Sequence, residues 1–240
     1  MKLVIFNGSP RNKKSNSKIL IEHFLSGFKR ICPDPVSIHY LANRKKKEEQ
    51  VEIFRNSEIV IIIFPLYTDC MPGIVKEFFE SIIELKFTPS KKIGFVVQSG
   101  FPEAIHSIYI ERYLEKLTKR LKCEYMGTII KGGIEGIQIM PPLMTKKLFG
   151  RFEDLGEYFA KNEAFSTEIQ EALRKPFKIS LMGNILFSIF NKTGLTNFYW
   201  NSNLKKNNAF SKRFDKPFEE ENYTEKTRIN GNKILERNQR

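Results

Sequence analysis

Residues 2–17 read KLVIFNGSPRNKKSNS, in which a short apolar run is followed at once by a polar turn. The run from Lys2 to Phe6 has the length and composition of a β-strand. From Ser15 onward the apolar residues recur at the spacing of one helical face, at Ile19, Leu20, Phe24, Leu25 and Phe28. The stretch therefore predicts a strand, a turn and a helix N-terminus in direct succession.

The turn between this strand and helix is rich in hydrogen-bond donors. A helix N-terminus presents unpaired N–H groups and the positive end of the helix dipole, which together suit an anion. Further donors come from the side chains of Ser9, Arg11, Ser15, Asn16 and Ser17. One interpretation is a phosphate-binding loop; the other is that Ser15 or Ser17 only caps the helix. The turn lacks the Gly-Lys-Ser/Thr of a P-loop and the Gly-x-Gly-x-x-Gly of the dinucleotide fingerprint.

The chain of 240 residues is long enough for one domain of about 160 residues and an extension. Its hydrophobic fraction of 41% is that of a globular protein. The longest apolar run, Ile59 to Leu66, is far shorter than the roughly 18 residues that a membrane-spanning helix needs. The N-terminus has the pattern of a strand rather than of a secretory signal. We therefore expect a soluble, cytoplasmic protein without an integral membrane segment.

The three cysteines, Cys32, Cys70 and Cys123, are widely separated in the sequence. This spacing supports neither a disulfide framework nor a metal cluster, and too few ligands are present for an iron–sulfur centre. Cys70 alone is near candidate chemistry, and a single cysteine is more often a small buried apolar residue than a redox thiol. We therefore predict no metal site.

The formal net charge of +13 is spread along the chain rather than gathered in one basic arm. The basic residues are not interleaved with an exposed aromatic motif, so we predict no nucleic-acid partner. A basic balance of this kind favours anionic small molecules such as phosphorylated cofactors.

Apolar runs and helical patterns alternate along the first two thirds of the chain. After the first strand, further strands are predicted at Val36 to Leu41, Ile59 to Pro65, Ile93 to Val97 and Tyr125 to Ile130. Helices are predicted between them at residues 45–56, at 74–83, from Ile110 to Leu121, and at 143–161. Five strands alternating with helices predict an α/β fold with a doubly wound, five-stranded parallel sheet.

In such a sheet a ligand binds outside the carboxyl ends of the strands, where the strand order reverses. This rule brings together the loops after the first, third and fourth strands, at residues 8–17, 65–73 and 98–103. One loop is suited to an anion, and the other two offer an apolar surface and backbone donors for a ring system.

The alternation stops after Phe165. We predict a first domain over residues 1–165, a helical C-terminal extension over 166–218, and a charged, mobile tail over 219–240. The segment from Phe177 to Phe190 has the apolar character of a helix lying on a membrane surface. Its own polar face holds few cations, however, so packing on the core or on a second subunit is favoured.

The three loops resemble those of the flavodoxin-like NAD(P)H-dependent FMN reductases and quinone reductases. The resemblance rests on Gly8-Ser9-Pro10-Arg11 with Ser15-Asn16-Ser17, on Pro65-Leu66-Tyr67 running into Asp69-x-Met71-Pro72-Gly73, and on the turn after strand four. It covers about residues 1–165. It implies the strand order 2-1-3-4-5, bound FMN, NAD(P)H as the electron donor, and a homodimer.

The resemblance also implies roles for individual residues. Residues around the FMN phosphate would be Ser9, Arg11, Ser15, Asn16 and Ser17. Residues along the isoalloxazine and ribityl would be Pro65, Leu66, Tyr67 and Thr68. The other edge of the ring would be closed by Gln98, Ser99, Gly100 and Phe101. No catalytic base is required, although His106 is a weak candidate for contacting an acceptor or donating a proton.

The implied activity is transfer of a hydride from a nicotinamide to FMN and then of two electrons to a quinone, flavin, nitro or azo acceptor. The alternatives are a non-catalytic flavodoxin-like electron carrier or redox-sensing partner protein, and a phosphate-ligand domain that binds no flavin. A carrier is disfavoured because flavodoxins are typically acidic and have a Thr/Gly-rich phosphate loop, whereas this loop contains Arg11.

Overall fold

The computed structural model describes residues 2–83, 85, 91–193 and 197–216. The chain divides into two compact units, Met1–Ser180 and Leu181–Arg240. The mobile tail predicted for residues 219–240 lies outside the described residues.

The first unit is built on a single parallel sheet. Its strands are β1 Leu3–Asn7, β2 Ser37–Tyr40, β3 Ile59–Pro65, β4 Lys92–Gln98 and β5 Glu124–Lys131. They lie in the order β2-β1-β3-β4-β5, and all four pairings are parallel. The predicted doubly wound topology and the order 2-1-3-4-5 are confirmed.

The helices of this unit are α1 Asn16–Phe28, α2 Lys47–Asn56, α3 Gly73–Ile82, α4 Ile108–Arg120, α5 Pro142–Asn162 and α6 Thr167–Arg174. The helices predicted at 45–56 and 143–161 agree with α2 and α5 to within two residues at each end. Residues 44–46 form a 3₁₀ turn that precedes α2.

Both faces of the sheet are covered by helices, which explains why its central strands are continuously apolar. In β1, Val4 and Phe6 face α2, α3 and α4, while Leu3 and Ile5 face α1 and α5. β3 alternates in the same way and is buried along its whole length. A sheet buried on both faces leaves polar chemistry mainly to the ends of its strands and to its loops.

Helices α1 and α5 pack with their backbones in contact. A Cβ atom added to Gly27 would lie 1.8 Å from the Glu153 carbonyl oxygen, and one added to Gly156 would lie 1.9 Å from that of Phe24. Only glycine fits at either position. This close packing holds α1 firmly on the sheet and so fixes the place of its N-terminus.

Helix α6 belongs to the first unit and packs against the outer strand. The Gln170 side-chain amide donates to the Thr128 carbonyl of β5 at 2.8 Å. Part of the segment after residue 165 is therefore joined to the sheet.

The second unit contains α7 Leu181–Lys192, α8 Phe198–Lys206 and a 3₁₀ turn at Phe210–Lys212. The Ala209 N–H donates to the Leu204 carbonyl at 2.8 Å, which joins that turn to the end of α8. Within the described part of the chain, no helix combines the length and the apolar character required to traverse a bilayer.

Candidate functional site

The carboxyl ends of β1, β3 and β4 lie side by side. Asn7 pairs with Ile63 across β1 and β3, and Pro65 pairs with Gln98 across β3 and β4. Just past the strand ends, the Gly8 N–H donates to the Ile63 carbonyl at 2.8 Å, and the Leu66 N–H donates to the Gln98 carbonyl at 2.7 Å. The three loops singled out in the sequence therefore leave the sheet at one edge, as predicted.

The first loop passes close to α3, and Gly8 makes this possible. A Cβ atom at position 8 would lie 2.4 Å from Cγ2 of Val75 and 3.1 Å from Cβ of Phe64. Any larger residue would displace the loop or the helix, because atoms in a close-packed interior cannot approach so closely. Gly8 thus allows the first loop to lie close to α3.

Asn7, the last residue of β1, organises the rest of this loop. Its side chain is fully buried. The side-chain oxygen accepts from the Ser9 N–H at 2.9 Å, and the side-chain nitrogen donates to the Ser15 hydroxyl at 3.1 Å. Asn7 was not among the site residues predicted from sequence. The signal available there is an amide side chain at the end of an otherwise apolar strand.

Ser15 is the N-cap of α1. Its hydroxyl accepts from the Lys18 N–H at 3.2 Å and donates its one hydrogen to the Asn12 carbonyl at 2.7 Å. The capping interpretation therefore describes the Ser15 side chain in this structure. Its one hydroxyl hydrogen is already used in the bond to Asn12 within the loop.

The next two residues, Asn16 and Ser17, differ from Ser15 in their hydrogen bonding. Asn16 donates from its side-chain nitrogen to the Ile134 carbonyl at 3.0 Å. Its side-chain oxygen and the Ser17 hydroxyl are buried and contact no hydrogen-bond partner among the described residues. Buried polar atoms nearly always have a partner, because leaving one unpaired costs about 1–3 kcal/mol. Ser17, in the first turn of α1, is therefore a hydroxyl suited to a bound ligand.

Arg11 lies on the rim of the same loop. Its guanidinium is 3.6 Å from a carboxylate oxygen of Glu135, and both side chains are exposed. An exposed pair of this kind contributes at most about 1 kcal/mol. An arriving anion can therefore compete for the guanidinium at little cost.

Glu135 belongs to a fourth loop, after β5, which the sequence analysis did not place at the site. Here the Gly133 N–H donates to the Phe101 carbonyl at 2.8 Å, and the Ile134 N–H donates to the Ser99 carbonyl at 2.9 Å. With the bond from Asn16, these contacts join the fourth loop to both the first and the third. The turn-forming residues Gly132, Gly133 and Gly136 were the available signal.

The loop after β3 contains a tight turn. Tyr67 and Cys70 exchange backbone hydrogen bonds of 2.9 and 3.0 Å around Thr68 and Asp69. Both central residues have positive φ angles, of 49° and 58°, as in a type I′ turn. Such turns favour Asn and Gly, so a β-branched Thr is strained here. Pro65 is buried, Leu66 is half-buried, and 43% of the Tyr67 side-chain surface is exposed beside this turn.

Gln98, the last residue of β4, and Ser99, the first residue of the loop after it, are both buried and polar. The Ser99 hydroxyl donates to the Phe101 carbonyl at 3.0 Å, which bends the chain around the exposed Gly100. Phe101 is 60% exposed, and its ring centroid lies 4.9 Å from that of His106. His106 lies in a 3₁₀ turn, Ala104–Ser107, that precedes α4.

The charged side chains around the first loop are mostly basic. Arg11, Lys13 and Lys14 stand before α1, and Lys18 follows in its first turn. At the end of β5, burial lowers the pKa of Lys131, and the nearby Arg151 lowers it further. The Lys131 ammonium donates to the Lys175 carbonyl at 3.2 Å. This charge distribution suits an anion at the α1 N-terminus.

Metal ligands are not grouped at this edge. Across residues 2–83, 85, 91–193 and 197–216, no set of three or more His, Cys, Asp or Glu side chains is arranged to hold a metal ion. Cys32 is half-buried, Cys70 is exposed and Cys123 is buried.

Comparison with known proteins agrees with this geometry. A family model described as a flavodoxin-like fold matches residues 1–139. No curated protein matches the sequence at a significant level.

Among solved structures, the chain is similar to an FMN-dependent NADH-azoreductase from Bacillus anthracis in complex with FMN. The sequences are 15% identical over 67% of this chain and 100% of that one, with a TM-score of 0.52. It is also similar to NAD(P)H:quinone oxidoreductase from Methanothermobacter marburgensis, at 13% identity over 65% of this chain and 95% of that one, with a TM-score of 0.53. The Trp repressor binding protein from Bacillus subtilis is 18% identical over 64% and 97%, with a TM-score of 0.50. At these identities the similarity establishes a common fold.

Proposed function

The chain belongs to the family with a flavodoxin-like fold, and from this membership we propose that it is an FMN-dependent NAD(P)H oxidoreductase. The proposed acceptors are quinones, flavins, nitro compounds or azo compounds. Similar solved structures include an FMN-dependent NADH-azoreductase and an NAD(P)H:quinone oxidoreductase, which supports this class of activity. A cytoplasmic homodimer is part of the same proposal.

The observation that carries the proposal is the buried Ser17 hydroxyl, without a partner among the described residues, in the first turn of α1. A phosphate group at this point would receive a hydrogen bond from Ser17 as well as the unpaired N–H groups of the helix N-terminus. The residues present therefore fit the phosphate end of FMN. The Ser15 side chain supports this end indirectly, because it holds the cap that shapes the loop.

The other loops fit the ring end of the same nucleotide. Tyr67 and Phe101 expose aromatic surface on two loops that leave adjacent strands. Aromatic side chains in this position would exclude water from one side of a flat ligand and orient it. Thr68, Gln98, Ser99 and Gly100 would complete the lining, with Pro65 and Leu66 below them.

FMN, when bound, supplies the redox chemistry, accepting two electrons from a nicotinamide and passing them to an acceptor. The protein then has to bind, orient and control access. Arg11 and Ser17 would hold the phosphate, and the strained turn at Thr68 and Asp69 would set the position of Tyr67. His106, whose ring lies beside that of Phe101, is the residue that would contact an acceptor stacked there.

The test is to reconstitute the purified protein with FMN and add NADH or NADPH without oxygen. We expect stoichiometric binding of FMN, rapid bleaching of the flavin absorbance by at least one nicotinamide, and rapid recovery when a small quinone is added. A protein that remains colourless and does not bind FMN would overturn the proposal. Binding of FMN without rapid reduction by either nicotinamide would instead identify a carrier that depends on a separate reductase.

A further inference from the structure

Helix α7, in the second unit, exposes a stripe of apolar side chains. Met182, Ile185 and Ile189 are 66%, 47% and 55% exposed. With a rotation of 100° per residue, they lie within roughly 60° of one another around the helix. Soluble proteins seldom expose apolar side chains as a contiguous stripe unless it is an interaction surface. The stripe therefore needs a partner.

The sequence from residue 181 to residue 216 is strongly basic. Between residues 181 and 216 the only acidic residue is Asp215, whereas six residues are basic: Lys192, Lys205, Lys206, Lys212, Arg213 and Lys216. The polar face of residues 177–190 holds few cations of its own. Apart from Lys192, at the end of α7, the cations lie in α8 and after it.

These cations stand beside aromatic rings. The Arg213 guanidinium lies 4.2 Å from the ring centroid of Phe210 and 4.5 Å from that of Phe214, and Phe214 is itself largely exposed. Trp200, in α8, is 64% exposed and is the only tryptophan in the chain. Exposed Trp and Phe next to Arg and Lys are typical of the boundary between water and lipid.

We propose that the described residues 181–193 and 197–216 bind the surface of an anionic lipid bilayer. The α7 stripe enters the boundary between headgroups and acyl chains, and the basic residues contact anionic headgroups. A second copy of the same surface would bring two strongly basic segments together, which like-charge repulsion opposes. Lipid supplies both the apolar layer and the negative charge that this segment lacks.

The test uses the full-length protein and vesicles of phosphatidylcholine, alone or mixed with phosphatidylglycerol. We expect co-sedimentation with the mixed vesicles, roughly tenfold weaker binding to phosphatidylcholine alone, and weakening by added salt. The fluorescence of Trp200 should shift to shorter wavelength on binding. Neither measurement depends on oxidoreductase activity.

Two variants address the two parts of the surface. Replacing Ile185 and Ile189 with Asn removes apolar burial, and replacing Lys205 and Lys206 with Glu reverses charge. Each double variant should bind mixed vesicles at least about tenfold more weakly. The matched controls, on exposed positions of the first unit, are Leu143→Asn and the pair Lys116→Glu with Lys119→Glu; they should bind like wild type.

Vesicle binding that is equal in the α7 variant and its control would overturn the proposal. Failure of the wild type to bind anionic vesicles would also overturn it, and sedimentation velocity then tests whether the wild type self-associates and the Ile185/Ile189 variant does not. In that case the stripe is an interface between copies of this chain.

Discussion

The side-chain amide of Asn7 donates to the Ser15 hydroxyl at 3.1 Å, so the last residue of β1 holds the N-cap of α1. The same side chain accepts from the Ser9 N–H at 2.9 Å. One buried amide therefore joins both ends of the loop that we assign to phosphate. The shape of the loop is therefore defined by hydrogen bonds within the chain itself.

Replacing Asn7 with Ala should lower both stability and cofactor affinity. The change leaves buried groups of Ser9 and Ser15 without this partner, which should cost about 1–3 kcal/mol in the free energy of unfolding. FMN should bind at least about tenfold more weakly, because the loop loses its preorganised shape. Urea unfolding and FMN titration measure the two effects.

The matched control for Asn7 is Thr118→Val. Thr118 is also fully buried, and its hydroxyl donates to the Leu114 carbonyl within α4. Losing that bond should cost about 1 kcal/mol of stability and leave FMN affinity unchanged. Equal losses of affinity in the two variants would show that Asn7 acts only through global stability.

Ser15 and Ser17 should respond to Ala substitution in opposite ways. Ser15→Ala removes the cap and should destabilise the protein without FMN by about 1 kcal/mol. Ser17→Ala removes a buried hydroxyl that contacts no partner in the described chain, so stability without FMN should hold or rise slightly. FMN affinity, however, should fall roughly tenfold or more, because a bond to a charged phosphate is lost.

The comparison is made by unfolding each variant with and without FMN. The stabilisation that FMN confers should be smaller in Ser17→Ala than in wild type. If Ser17→Ala is as unstable as Ser15→Ala and binds FMN normally, then Ser17 is a structural residue and the phosphate lies elsewhere.

Much of this arrangement can be predicted from sequence, and the exceptions have physical reasons. Apolar runs such as Ile59 to Pro65 are long and unbroken, so they predicted the sheet, and topology then predicted which loops meet. Ser15 and Ser17 look alike in sequence; only the three-dimensional positions of Asn7, Asn12 and Lys18 show that the first is committed as a cap.

The fourth loop was missed for a related reason. Its contacts with Asn16 and Ser99 are backbone carbonyls and N–H groups, which every residue possesses. Sequence motifs identify reactive or polar side chains, so they cannot detect contacts that the fourth loop makes through its backbone. In the sequence, Glu135 cannot be distinguished from an ordinary surface acid. Only the fold shows that it lies near Arg11.

Gly8→Ala should be destabilising chiefly through its overlap with Val75. The new Cβ would lie 2.4 Å from Cγ2 of Val75, an overlap that should cost about 1–3 kcal/mol. The double variant Gly8→Ala with Val75→Ala should be more stable than the sum of the single changes predicts, by about 1 kcal/mol. Thermal and urea unfolding of the four proteins give this coupling energy.

Gly73→Ala is the control for Gly8. A Cβ at position 73, the first residue of α3, would meet nothing within 4 Å, so this variant should be at least as stable as wild type. Additive effects of Gly8→Ala and Val75→Ala would mean that the first loop does not depend on its approach to α3.

The turn after β3 should be more stable with residues that accept positive φ. Replacing Thr68 with Asn and Asp69 with Gly should raise the free energy of unfolding by about 1 kcal/mol. If the turn positions Tyr67 for the proposed reaction, kcat/KM for NAD(P)H oxidation should change in the same variant. Unfolding and steady-state kinetics test the two parts separately.

Glu163→Gly is the control for this turn. Glu163 has a φ of 51° at the end of α5 and lies 3.5 Å from Lys92, at the amino end of β4 and therefore away from the site. It should gain stability by relief of backbone strain while kinetics remain unchanged. A turn variant with wild-type kinetics would remove the Thr68–Asp69 turn from the proposed mechanism.

Tyr125 should make the protein sensitive to alkali. Burial raises the pKa of its phenol to about 12, partly offset by a 2.7 Å hydrogen bond with Thr128. In the unfolded chain a tyrosine ionises near pH 10, so between about pH 10 and pH 12 the folded state binds more protons and stability falls as pH rises. After allowance for partial exposure, this contribution is about 2 kcal/mol.

The measurement is the free energy of unfolding from about pH 9 to pH 12 for wild type, Tyr125→Phe and the exposed control Tyr109→Phe. Tyr125→Phe cannot ionise, so its stability relative to wild type should improve steadily as pH rises. Tyr109 serves as the control because its side chain is mostly exposed. All other titrating groups, including Cys123, whose pKa burial raises to about 11, cancel in the differences. Parallel curves for all three proteins would mean that the Tyr125 phenol ionises alike in the folded and unfolded chains.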